Sequence, residues 1–132
     1  MKIHHVGFAV YNLENAKKAF MSLGYTVKKE RIEDPFRDLE YVFMEKEHMM
    51  IELLAPLSAS SPVSGWLAKN GASPYHVCYE TDDFEDDTNL LRRQGFTVIK
   101  NAEPSVALDG RKICFLYSTA IGIVELLEEV KP

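Results

Sequence analysis

The 132 residues predict an α+β fold made of two tandem βαβββ modules, on three observations. First, "GYTVKK" beginning at Gly24 returns as "GFTVIK" at Gly95, and the same offset of 71 sets "HHVGFAV" at His4 on "YHVCYET" at Tyr75. Second, the segment after each of those runs carries the same helix punctuation. Asn12 and Asp83, again 71 apart, suit N-caps, while Gly24 and Gly95 suit the left-handed position just past a helix end. Third, two strand-like runs close each half. "LEYVFME" and "MMIELLA" are answered by "KICFLYS" and "GIVELLE", with "IELL" at Ile51 meeting "VELL" at Val124 at an offset of 73.

Taken in chain order, the opening strand alternates. Ile3, His5, Gly7 and Ala9 share one face, and His4, Val6, Phe8 and Val10 share the other. The second set is bulky and apolar, so it should lie under the helix whose apolar stripe is Leu13, Ala16, Phe20 and Leu23. A strand in "YTVKKE" and the two closing strands complete residues 1–56. The linker, residues 57–73, lies within "PLSASSPVSGWLAKNGAS", with a short helix expected from Val63 to Lys69 and Trp66 as its anchor. Residues 74–132 repeat the pattern: the strand at Tyr75, a helix carrying Phe84, Thr88 and Leu91, the strand "FTVIKN", and the last two strands. The whole is expected to fold as one domain.

Composition narrows the function classes. A hydrophobic fraction of 46% supplies a core, and a net charge of −5 with no basic run longer than two residues argues against nucleic acid or an anionic membrane as partner. The N-terminus lacks the uninterrupted apolar stretch of a secretory signal, and no segment is apolar long enough to span a bilayer, so a cytoplasmic protein with a small-molecule ligand is expected. Cys78 and Cys114 lie in apolar strand-like runs and read as reduced buried thiols.

The repeat also gathers chemistry. His5 points away from the helix face, beside the small Gly7 and Ala9, and His76 with Cys78 takes the matching face of the second module. Glu52 lies opposite Ile51 and Leu53 in its strand, as Glu125 lies opposite Val124 and Leu126. A carboxylate in mid-strand between apolar residues requires compensation. Taken singly, a strand histidine is usually a hydrogen-bonded core or surface residue and a strand glutamate usually meets water. Two symmetry-related pairs instead suit one divalent cation, nickel, cobalt, zinc, manganese or ferrous iron, with positions left for water or substrate. His4 and His48 are expected on outer or turn positions.

Paired βαβββ modules with His5, Glu52, His76 and Glu125 at equivalent ends resemble the vicinal oxygen chelate superfamily over essentially the whole chain, most specifically in "HHVGFAV", "IELLAPL", "YHVCYETDD" and "GIVELLE". The resemblance implies strands curled into a cup-shaped mixed sheet around a metal that chelates two oxygens of the substrate and stabilises an enolate. The His, Glu, His, Glu pattern matches the metal set of glyoxalase I (lactoylglutathione lyase), and methylmalonyl-CoA epimerases use a closely similar one. "SPVSGWLAKNG" looks more like the epimerase branch. Ala9 stands where glutathione-using members commonly carry an arginine, and "LLAPL" follows Glu52 where they carry an asparagine.

The resemblance therefore implies an enzyme that moves a proton on the carbon alpha to a carbonyl or thioester, epimerase-like, or a glyoxalase I acting on a thiol-methylglyoxal hemithioacetal. Non-catalytic members that sequester small molecules are the remaining alternative. In the epimerase reading the base is Glu40, which resembles the catalytic glutamate of that branch. In the glyoxalase I reading it is the metal-bound Glu125. The resemblance, with the sheet edges that two short modules expose, also implies a homodimer.

Overall fold

The computed structural model describes residues 1–130. The elements run β1 (Lys2–Ala9), α1 (Leu13–Ser22), β2 (Thr26–Asp34), β3 (Leu39–Lys46), β4 (Met49–Pro56), α2 (Pro62–Asn70), β5 (Ser73–Thr81), α3 (Phe84–Arg93), β6 (Thr97–Pro104), β7 (Lys112–Ser118) and β8 (Gly122–Glu128), with one turn of 3-10 helix at Val106–Leu108. This is the α+β arrangement of two βαβββ modules. Two compact units divide the chain: His5–Tyr75 forms one, and Met1–His4 with the chain from His76 onward forms the other. No helix among the described residues is long and apolar enough to cross a membrane.

In the first unit the strand order is β2-β3-β4-β1. β1 runs parallel to β4, with Gly7 opposite Glu52, while β4 and β3 are antiparallel with Phe43 opposite Glu52. Val6 and Phe8 from β1 pack with Val42, Met44, Ile51, Leu53 and Ala55 against Leu13, Ala16 and Phe20 of α1, which is the face the alternation predicts. Phe8, Phe20 and Tyr25 stack edge to face in sequence, with centroids 5.2 and 5.1 Å apart. α2 packs through Val63 and Leu67. Trp66 is only half-buried: its ring meets Tyr75 edge-on at 5.1 Å and its Nε1 donates to Ser73 Oγ at 3.0 Å. The expected anchor is thus a bracket between helix and following strand, and the two aliphatic residues hold the helix down.

The second unit repeats the plan with order β5-β8-β7-β6, β5 parallel to β8 and Cys78 opposite Glu125. Cys114, Leu116 and Leu126 form its helix-side core with Tyr79, Phe84, Leu91, Phe96 and Val98. Both cysteines are buried and free.

Helix termini match in detail. Asn12 and Asp83 accept from the backbone N–H of Asn15 and Asp86 at 2.9 and 3.1 Å. At the other ends Gly24 and Gly95 take φ of +95° and +97°. The N–H of Gly24 and Tyr25 returns to Met21 and Phe20, as that of Gly95 and Phe96 returns to Arg92 and Leu91, so both helices close with the same left-handed cap. The duplication even keeps irregularities: β2 slips register around Lys29 and β6 around Lys100, at equivalent places. Such bulges twist an outer strand.

Candidate metal centre

Parallel pairing of β1 with β4 sets Glu52 beside Gly7, and His5, two residues earlier on the same face, brings its Nε2 to 3.3 Å from Glu52 Oε1. The second unit does the same. Cys78 lies opposite Glu125, and His76 Nε2 is 3.1 Å from Glu125 Oε1. All four side chains are buried, with exposures of 0, 3, 4 and 2% for His5, Glu52, His76 and Glu125. Each imidazole is held edge-on to an aromatic ring, His5 to Phe43 at 5.7 Å and His76 to Phe115 at 5.5 Å. Phe43 and Phe115 are themselves the antiparallel rung partners of Glu52 and Glu125. Each half-site is therefore a triad of imidazole, carboxylate and phenyl ring, set by strand register alone.

The donor set fits a divalent transition metal. Bonds of about 2.1 Å place adjacent ligand atoms roughly 3.0 Å apart at an octahedral angle and roughly 3.4 Å apart at a tetrahedral one. The separations of 3.1 and 3.3 Å fall in that range. Buried imidazole nitrogens and carboxylate oxygens are the ligands that zinc, nickel, cobalt, manganese and ferrous iron accept. His5 with Glu52, and His76 with Glu125, are buried side chains of the kinds able to hold such an ion.

Glu40 is placed elsewhere. The unbroken register of β3 with β4 sets it opposite Ala55, and alternation puts it on the face of Val42 and Met44 rather than that of Phe43 and Glu52. Its Oε2 accepts from Arg31 Nε and Nη2 at 2.9 and 2.7 Å, and Arg31 also approaches Glu33 at 3.5 Å. Lys112, the position matching Glu40 in the repeat, turns its ammonium over the Phe84 ring at 5.1 Å, toward α3. His48 is exposed in the β3–β4 turn and His4 is half-buried.

Two features escaped sequence reasoning. The phenylalanines were within reach, because an offset of 72 aligns Phe43 with Phe115, between the offsets of 71 and 73 that align the rest of the repeat. The buried Tyr41, hydrogen-bonded through its hydroxyl to Asp34 Oδ2 at 3.3 Å, has no repeat partner to draw attention to it: Ile113 stands in its place.

Residues 4–115 match the model of the glyoxalase/bleomycin resistance protein/dioxygenase superfamily, and the chain belongs to that superfamily. Within it, the chain is 32% identical over 118 residues to an ethylmalonyl-CoA/methylmalonyl-CoA epimerase of Cereibacter sphaeroides, covering 88% of this chain and 87% of the relative. It is 29% identical to the mitochondrial methylmalonyl-CoA epimerase of Bos taurus, over 95% of this chain and 73% of the relative. The fold is shared with a Streptomyces coelicolor methylmalonyl-CoA epimerase solved in complex with 2-nitronate-propionyl-CoA, at a TM-score of 0.85, 24% identity, and coverage of 100% of this chain and 99% of that one.

Proposed function

We propose that the chain epimerises an acyl thioester by moving the proton on the carbon alpha to the thioester carbonyl, and that His5, Glu52, His76 and Glu125 together hold one divalent cation for that purpose. The observation that carries this reading is the repetition of one buried His–Glu pair, at 3.3 and 3.1 Å, at equivalent rungs of the two modules. The relatives that are epimerases of malonyl-type CoA thioesters support the substrate class. When bound, the ion supplies Lewis acidity that stabilises negative charge developing on the carbonyl oxygen. The residues of the chain do the rest. Phe43 and Phe115 flank the imidazoles and keep water from the half-sites. The alpha proton is taken by an oxygen of Glu125, since Glu40 is bound by Arg31 on the other face of its strand, and a proton drawn from solvent to the opposite face of the enolate completes the inversion.

The assay that tests this is inversion of a chiral methylmalonyl thioester, followed in deuterated solvent by uptake of deuterium at the alpha carbon. Inversion with uptake is expected from the metal-reconstituted protein. A protein that inverts no thioester but isomerises the methylglyoxal hemithioacetal moves the assignment to glyoxalase I, a shift that a metal-bound glutamate base would suit. Binding of either compound without turnover moves it to sequestration.

We further propose a homodimer, supported by the apolar side chains that the chain leaves exposed, among them Ile3, Ile99 and Ile121. Light scattering at micromolar concentration is expected to return twice the chain mass, and a monomer mass sinks the proposal.

A further inference from the structure

The two half-sites repeat each other, yet the strand faces that carry them end differently. In the second unit the half-site face of β7 and β8 is built from the rungs Ile113 with Leu127, Phe115 with Glu125, and Tyr117 with Ile123. Exposure climbs along them. Ile113 and Leu127 are sealed at 2 and 0%, Phe115 is half-buried beside Glu125, and Ile123 is half-buried beside Tyr117, which is 42% exposed. Ile123 is also the register partner of His76, so the open rung adjoins both members of the His76–Glu125 pair. In the first module the corresponding rung is Glu45 with Met50, at repeat offsets of 72 and 73. There Glu45 Oε2 is paired with Lys28 Nζ at 3.8 Å. The place of Lys28 is taken in the second module by Ile99, at the offset of 71 and at the same register slip of the outer strand, and Ile99 is exposed. A scaffold that accommodates an ion pair at this corner thus carries an isoleucine and a tyrosine there instead, both in contact with water. Apolar surface left in water beside a buried polar pair is explained if a ligand covers it.

We propose that the Tyr117–Ile123 rung, continued inward by Phe115, carries the thiol arm of the thioester, the chain of methylenes and amides that leads away from the reacting carbonyl. The inference deepens the epimerase reading and rests on it for the substrate class. A carbonyl brought to the His76–Glu125 pair has sulfur bonded to its carbon, and the arm beyond that sulfur must reach water. Along this face the sealed Ile113–Leu127 rung closes one direction, and the Tyr117–Ile123 rung opens the other. The side chains suit such an arm. Ile123 and the Phe115 ring offer apolar contact to methylenes, while a tyrosine presents an aromatic face with a hydroxyl at its wet end, fit for an amide that is half in water. A charged pair of the kind formed by Lys28 and Glu45 would keep its own hydration and offer the methylenes nothing. The arm is therefore assigned to the second module, where that pair is replaced.

The test is calorimetric titration of the full, metal-reconstituted chain with the methylmalonyl thioesters of pantetheine and of N-acetylcysteamine, which share the acyl group and differ in the length of the arm. Wild type is expected to bind the pantetheine compound more tightly. Ile99→Lys/Tyr117→Glu, which copies the corner of the first module, and Tyr117→Ser are each expected to cut that preference about tenfold, the worth of roughly 55 Å² of apolar contact, while the short compound binds as before. Glu45→Gln, at the equivalent position of the first module, is the control and should keep the preference. Thermal melts report folding, and light scattering reports the mass. Should the double variant fail to fold, Tyr117→Ser decides the matter. A wild type without preference overturns the inference, and so do folded variants that keep it or a control that loses it. Preference lost together with half the mass also overturns it, because the rung is then an interface between copies. Deuterium uptake at the alpha carbon of each compound separates the inference from the reading beneath it. Uptake from both compounds without arm preference removes the assignment alone, whereas arm preference without uptake leaves the assignment standing and removes the epimerase reading.

Discussion

Glu125→Gln is expected to lower turnover by about two to four orders of magnitude, the usual cost of losing a general base, and to abolish exchange of the substrate alpha proton with deuterated solvent. The amide keeps a carbonyl oxygen in the place of the carboxylate and removes only the group that can accept a proton. Metal content measured on the same sample separates loss of the base from loss of the ion. Glu40→Gln is the informative contrast. Its carboxylate is committed to two hydrogen bonds from Arg31 on a strand face shared with Val42 and Met44. Near-normal turnover is expected, with at most a small loss of stability, because an ion pair whose arginine is half exposed and well solvated contributes little to folding. If Glu40→Gln silences the enzyme while Glu125→Gln spares it, the base assignment reverses.

The face on which Glu40 lies is legible in the sequence itself. The alternation that sets Glu52 opposite Ile51 and Leu53 also sets Glu40 with Val42 and Met44. Likeness to a family position at the start of that strand suggests Glu40 as the base, and the parity of the strand sets it with Val42 and Met44. The cap residues, the end glycines and the pairing of His5 with Glu52 are legible because each depends on local chemistry copied twice: Asn12 with Asp83, Gly24 with Gly95, His5 with His76. What the sequence conceals is either unique to one module or decided by packing. Tyr41, Asp34 and Arg37 form a group only because a hairpin folds the end of β2 onto β3, which no periodicity announces. Trp66, the largest side chain of the linker, looks like its anchor, yet the helix turns Val63 and Leu67 inward.

Metal removal by substitution is the second large effect, and its distribution over the four proposed ligands tests the duplication itself. The two His–Glu pairs have nearly equal separations, equal burial and equivalent aromatic neighbours. Losing a ligand from either module should therefore cost the same. His5→Ala, Glu52→Ala, His76→Ala and Glu125→Ala are each expected to lower metal affinity by more than about a hundredfold, beyond what removing an outer-shell partner costs, while His4→Ala and His48→Ala leave it unchanged. An ion that binds only the folded chain stabilises it by about 2.7 kcal/mol at a hundredfold excess over its dissociation constant. Nickel, cobalt, zinc, manganese or ferrous iron should accordingly raise the melting temperature of wild type and of the two control variants, and of none of the four ligand variants. Elemental analysis and thermal melts after reconstitution decide the outcome. A wild-type chain that retains no ion and melts unchanged in all five defeats the metal centre. A metal that survives loss of either residue of one pair places the ion in a single module, and the symmetry of the two half-sites then has no part in holding it.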